Sequence, residues 1–276
     1  MKKVIVTVGI VLIVILVIKK YRTYFEDIYI KVVNRISEQS WELEGKYNID
    51  ETEWFDKEHE IFSGNLSYAQ LGDSNAEGLS IKAAGCRVEI IGIDEQNCYI
   101  EFTNMKKVQA YQIEEQVLVN AMRDTKWEQK NESSVLKIYV PRGLKFERVE
   151  MELGAGSIHI DQMSAKVVDI SIEAGKYVAD NIYADKLEID LGAGDIQLKS
   201  CVLGDTQIDC AAGNLEMLIK GQTTDFNYKI QCVAGNIQVG EEKYSGINEE
   251  KEIDNMAAKT MDLECVVGNI IIAYEL

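Results

Sequence analysis

Proline is nearly missing from this chain: among 276 residues it occurs once, at Pro141. That excludes stiff proline-rich linkers and removes the commonest interruption of a sheet ladder. Histidine is almost as scarce, with only His59 and His159. Zinc centres and Ser–His nucleophile pairs therefore have little to draw on. Neither histidine is well placed, since His159 sits outward on a strand pattern and His59 lies in an acidic loop. Arginine stops at Arg148, which weakens comparison with β-helix polysaccharide lyases, whose proton-taking base is commonly Arg or Lys. No Gly-x-Gly-x-x-Gly stands at a strand-to-helix turn and no phosphate loop is present. Acidic residues are absent before Glu26, whereas Lys2, Lys3, Lys19, Lys20 and Arg22 precede it. The formal charge of -17 thus belongs to the rest of the chain, which repels phosphates and excludes nucleic acid as a partner.

What is abundant is repetition. From Val149 to Leu276 six glycines, Gly156, Gly175, Gly194, Gly213, Gly235 and Gly268, each sit in a similar apolar frame. The intervals are 19, 19, 19, 22 and 33 residues. Five positions before each glycine stand Met151, Ile170, Ile189, Ile208, Ile230 and Leu263; three before stand Leu153, Ile172, Leu191, Cys210, Cys232 and Cys265. Two after stand Ile158, Tyr177, Ile196, Leu215, Ile237 and Ile270. A fixed period of this length marks a repeat architecture.

Within each unit apolar and polar residues alternate with period two, which is strand patterning. The apolar set then jumps by an odd step across the glycine, so the chain must bend there or turn that set outward. Gly-Asn at 213–214, 235–236 and 268–269 supplies residues tolerant of positive φ at such a corner. An antiparallel meander with hairpin turns fits this pattern. So does an all-β parallel solenoid, β-helix-like, of about 19-residue coils, and the even registry favours it. The segment AAGC at 83–86 reads as a first copy whose apolar residues fall one position out of register. Pro141 marks the corner leading into the regular array. Residues Lys220 to Phe226 and Glu241 to Lys259 read as insertions, which in repeat proteins often emerge on one face.

Ahead of the repeats, Val4 to Ile18 is a 15-residue apolar run between paired lysines. Snorkelling lysines with Tyr21 and Tyr24 extend its reach toward the roughly 20 residues of a membrane span. An uncleaved signal-anchor at residues 1–22 is favoured over a cleaved signal peptide, because no small-residue cleavage site follows. A buried helix is the remaining alternative. Residues 23–65 read as a juxtamembrane stalk and cap, with Trp54, Phe55 and Phe62 covering one end of a 66–276 β-domain that is regular from 149. The charge balance around the span scarcely decides orientation. An acidic β-rich body beyond an N-terminal anchor is placed most simply outside the cytoplasm, giving a single-pass protein of the cell membrane.

Val140-Pro-Arg-Gly143 and the recurring elements LGAGSIHI, LGAGDIQL, CAAGNLEM and CVAGNIQV resemble DUF4097, a bacterial group of adhesin-like β-strand repeat proteins. EWFDKEHEIFSG and AAGC are similar to forms found in members with an N-terminal membrane anchor. The resemblance spans about residues 46–276 and implies a β-helix-like domain, often at the cell surface. It says almost nothing about chemistry.

No catalytic, cofactor-binding or metal-ligating residue is singled out. The stacked acids Glu150, Asp169 and Glu188, with Glu152, Asp190 and Asp209, could attract calcium. Solvation of an exposed strand face accounts for them better, and Lys229, Ser171, Gln207 and Gln231 interrupt both rows. Cys210, Cys232 and Cys265 should neighbour one another in a stack, at a spacing a disulfide allows, yet Leu or Ile fills that position elsewhere. Inert core thiols are the preferred reading; Cys86, Cys98 and Cys201 show no metal-type spacing. The expected function is non-catalytic: a membrane-anchored surface-binding or structural module. Its expected partners are the bilayer, through residues 4–18, and a cell-wall glycan or surface protein. The competing expectation is an envelope-stress or regulatory accessory protein working through membrane partners.

Overall fold

The structure, a computed structural model, describes residues 55, 57–72, 76–123, 134–245 and 248–275. Residues Glu51–Leu276 form one compact unit. The apolar run at 4–18, the anchor segment 1–22, Trp54 and most of the 23–65 stalk lie outside the described residues. Among those described, no helix is long and apolar enough to cross a membrane. Their regular structure is strand, with one 3-10 turn at Thr223–Asp225.

The 19-residue period becomes a solenoid-like stack. Its spine is β7 (Phe146–Lys220), 75 residues in continuous strand geometry that winds through the Gly156, Gly175, Gly194 and Gly213 frames. In the Gly175 frame, Val168, Ile170, Ile172, Tyr177, Ala179, Ile182 and Ala184 are all buried. The inward set therefore takes an odd step three times per coil, at 172–177, 179–182 and 184–187. Each coil has three straight flanks and three corners. Only the corner at the glycine is legible from the repeat frame. Ile170, Ile189 and Ile208 share one core with Met151, Ile230 and Leu263, each burial contributing about 1.5–3 kcal/mol.

At both ends the order of coils departs from the order of sequence. β2 (Gly78–Ala84) and β3 (Cys86–Ile93) run parallel to β7, with Ile81 opposite Met151 and Val88 opposite Ile158. Their other edge pairs in parallel with β5 (Gln116–Arg123) and β6 (Val135–Pro141). The 78–93 coil thus lies between a coil that follows it in sequence and β7. Cys86 lies opposite Gly156, so the first copy is in register after all; the apparent slip came from taking Gly85 as the pivot. Pro141 does end a strand at the corner before β7. β4 (Cys98–Ile113) is one 16-residue strand, antiparallel to both β5 and β6. β1 (Phe62–Gly72) is antiparallel to β4 through several register shifts, so strand structure starts ahead of the expected boundary at residue 66. Phe55 is buried, and Phe62 packs on Phe102 with ring centroids 6.4 Å apart.

The C-terminal end repeats the device. β8 (Phe226–Cys232) and β9 (Asn236–Val239) carry the Gly235 frame, whereas β12 (Lys259–Cys265) and β13 (Asn269–Glu275) carry the last. β12 pairs in parallel with β7 and β8, and β13 with β7 and β9. The final coil is therefore slotted between its two predecessors, giving the order Gly213, Gly268, Gly235. β10 (Glu242–Ser245) and β11 (Glu249–Ile253) close the outer coil in antiparallel fashion.

Glycine at the pivot answers to close approach. A side chain at Gly268 would collide with the Gly213 carbonyl, and one at Gly235 with that of Gly268. Positive φ is confined to Gly156, Gly175 and Gly194 among the six. The Gly-Asn corners thus do not use the left-handed conformation expected of them. Their asparagines do something else.

Candidate functional site

That role is a hydrogen-bonded ladder down the outside of the corner. Asn236 Nδ2 donates to Asn269 Oδ1 (2.9 Å), Asn269 Nδ2 to Asn214 Oδ1 (2.7 Å), and Asn214 Nδ2 to Asp195 Oδ1 (2.9 Å). Each side chain belongs to a different coil, so the ladder marks the slotted order from outside. A second row joins His159, Asp180 and Lys199. Lys199 Nζ lies 2.6 Å and His159 Nε2 3.5 Å from the Asp180 carboxylate. Lys199, and then the imidazole, hold that carboxyl below its ordinary range.

The acidic rows are knitted by cations. Arg148 reaches both Glu150 and Asp169, Lys82 reaches Glu152 and Lys229 reaches Asp262. Burial, then the Glu188 charge, pushes the Asp169 carboxyl up. Among the described residues no three metal-ligating side chains converge.

Two insertions that leave the stack at different coils meet at one corner. The 3-10 turn at Thr223–Asp225 is fixed by Gln222 N–H donating to Asp225 Oδ2 (2.8 Å). Against it lies the segment 254–257 from the longer insertion. Asn227 Oδ1 accepts from Asn255 N and Ala257 N, at 2.8 and 3.1 Å, while its amide donates to the Ala257 carbonyl (2.8 Å). Asn255 Nδ2 donates to the Phe226 carbonyl at 2.7 Å. Asn255 and Asn227 thus supply the backbone partners that irregular chain lacks.

Aromatic residues floor this corner. Tyr228 donates to the Thr223 carbonyl (2.7 Å) and lies 2.6 Å from the Tyr274 hydroxyl, which is left to donate to it. Phe226 packs on both rings. Burial pushes both phenols up, so they stay neutral at physiological pH. The corner offers an ordered, mixed surface with Met256 fully outward (93 % exposed).

Cys210, Cys265 and Cys232 lie on three successive coils in that order, each buried, and all six cysteines are free thiols. Adjacency of the three matches the sequence expectation; the central place of Cys265 does not follow from it. The hydrogen bond from Cys265 pulls the Cys210 thiol down, and the same interaction with burial pushes Cys265 up. Burial holds Cys86 and Cys201 at about 12. His59, expected in a loop, stacks on Tyr111 at 3.8 Å.

No curated protein matches the chain by sequence. Among solved structures it is similar to a candidate cell adhesion protein of Clostridium sporogenes: 10% identity, TM-score 0.43, covering 79% of this chain and 100% of that one. It is also similar to a candidate adhesin of Bacteroides fragilis: 10% identity, TM-score 0.25, 77% of this chain and 97% of that one. The Toastrack family, DUF4097, matches residues 61–273, in agreement with the motif resemblance, and the chain belongs to that family.

Proposed function

We propose that this protein is a non-catalytic display module, held to the cell membrane by a single span at residues 4–18 with its β-domain outside the cytoplasm. The β-domain is read as a parallel solenoid of 19-residue coils, stiffened by its ladders. It presents a surface to a cell-wall glycan or another surface molecule. The observation that carries this reading is the convergence of the 220–226 and 241–259 insertions. Repeat scaffolds tolerate insertions anywhere along their length, and these two touch at one corner, where Asn255 Nδ2 donates to the Thr223 and Phe226 carbonyls. Ordering loops costs conformational entropy, and a shared, fixed surface is what that cost obtains.

Intact cells treated with a membrane-impermeant amine reagent test the placement. Labelling of lysines between 145 and 259 before lysis is the expected result; labelling only after lysis overturns it. Co-sedimentation of the purified chain with isolated cell walls tests the binding, and failure to sediment removes it.

A further inference from the structure

The third flank carries an anomaly. Its outward row, eight positions after each glycine, reads Ser164, Tyr183 and Val202 on successive coils. An outward strand position in so charged a protein is ordinarily polar, yet Tyr183 is 37 % and Val202 41 % exposed. They line a shallow groove of about 200 Å³ together with Lys145, Asp185, Gly204 and Lys259. The floor is kept bare at Gly204, where any side chain would collide with the Asp185 carbonyl. Lys145 Nζ sits 3.2 Å from Asp185, while the Lys259 ammonium lies 5.3 Å from the centre of the Phe226 ring. Lys259 therefore joins the groove to the loop corner. A chain of net charge -17 places two lysines here beside one carboxylate.

Resting on the surface-binding reading above, we propose that this groove is a subsite for a glycan bearing carboxylate groups. An exposed aromatic face takes the C–H face of a sugar ring. The paired Asp185 and Lys145, with Ser164, present acceptors and donors to its hydroxyls. Lys259 supplies the charge for the carboxylate.

Calorimetric titration of the purified full-length chain tests this. The probes are an N-acetylglucosamine–N-acetylmuramic acid oligomer, which carries carboxylates, and neutral N-acetylglucosamine tetramer. Tyr183→Ala should weaken the acidic probe by about tenfold or more, the loss of one stacked ring, and Tyr183→Phe should retain it. Lys259→Gln should weaken the acidic probe alone. An unchanged melting temperature in each exposed-site variant separates binding from folding. Equal affinity for both probes overturns the carboxylate assignment. Wild-type affinity in Tyr183→Ala, with loss in Asn255→Ala, moves the site to the loop corner and leaves the surface-binding reading standing. Absence of wall and glycan binding by the wild-type chain removes both.

Discussion

The two ends of the stack solve one problem with different chemistry. Each slots a coil out of sequence order and closes the outermost coil with antiparallel strand. At the N-terminal end the closure is β4, which buries Ile100, Phe102, Met105 and Val108 and is itself covered by β1. At the C-terminal end it is the short pair β10 and β11, whose Glu242, Lys243, Glu249, Glu250, Lys251 and Glu252 are all exposed. The first end continues the core into β4 and on to β1. The second stops it, because charge along an outer edge discourages pairing with another strand. Only Tyr244 and Ile253 of that second cap pack partly against the core. The ends of a repeat stack are thus built to different purposes.

The sharpest way to break this contrast is to remove apolar mass from each closure. Phe102→Ala should cost about 3–5 kcal/mol and Ile253→Ala about 1 kcal/mol, read as shifts in urea midpoint. Equal losses would mean the C-terminal cap is core after all. Next in size is the slotted coil itself. Gly268→Ala, which drives a methyl into the Gly213 carbonyl, should cost about 3 kcal/mol. Gly143→Ala, with nothing within 4 Å, should stay within about 0.5 kcal/mol. A neutral Gly268→Ala would place the last coil elsewhere. Smaller again is Asn269→Ala, which removes the middle of the amide ladder and should cost about 1 kcal/mol. Hydrogen exchange should report loosening of β13 and not of β2.

The smallest effects are in the pH dependence of the middle of the stack. Lys199 lowers the Asp180 pKa, so its contribution is present above the ordinary carboxylate value and fades as pH falls through the folded value. Burial, then the Glu152 charge, raises that of Glu173, so its contribution is present at low pH and is lost as pH rises through the folded value. Asp180→Asn should therefore flatten the acid limb of the stability profile. Glu173→Gln should remove a decline between the carboxylate range and neutrality. Slopes that change in the same direction in both variants would contradict the assigned causes.

Much of this was legible in advance. The frame around the six glycines predicted which residues face inward and their register, and Leu263 does lie level with Ile208 and Ile230. The stacked cysteines were legible too. The first copy was misplaced by one because Cys86, not a glycine, occupies the pivot. The Gly-Asn corners were assigned a φ they do not use, because sequence names the tolerance of a residue and not the neighbour that demands it. The groove at Tyr183 and Val202 went unread: the third flank lies outside the apolar frame, and an isolated outward Tyr or Val is ordinary.

Sequence alone determined period, register and the inward face, since a one-residue slip would expose every apolar side chain of a coil. Adjacency was left to the tertiary structure. Similar apolar frames pair with one another almost equally well, so nothing local tells the Gly268 coil to settle between Gly213 and Gly235. That choice belongs to the whole assembly. The outer coil is already occupied on its far side by β10 and β11, and the remaining slot is the one place where the last coil buries both faces of its ladder.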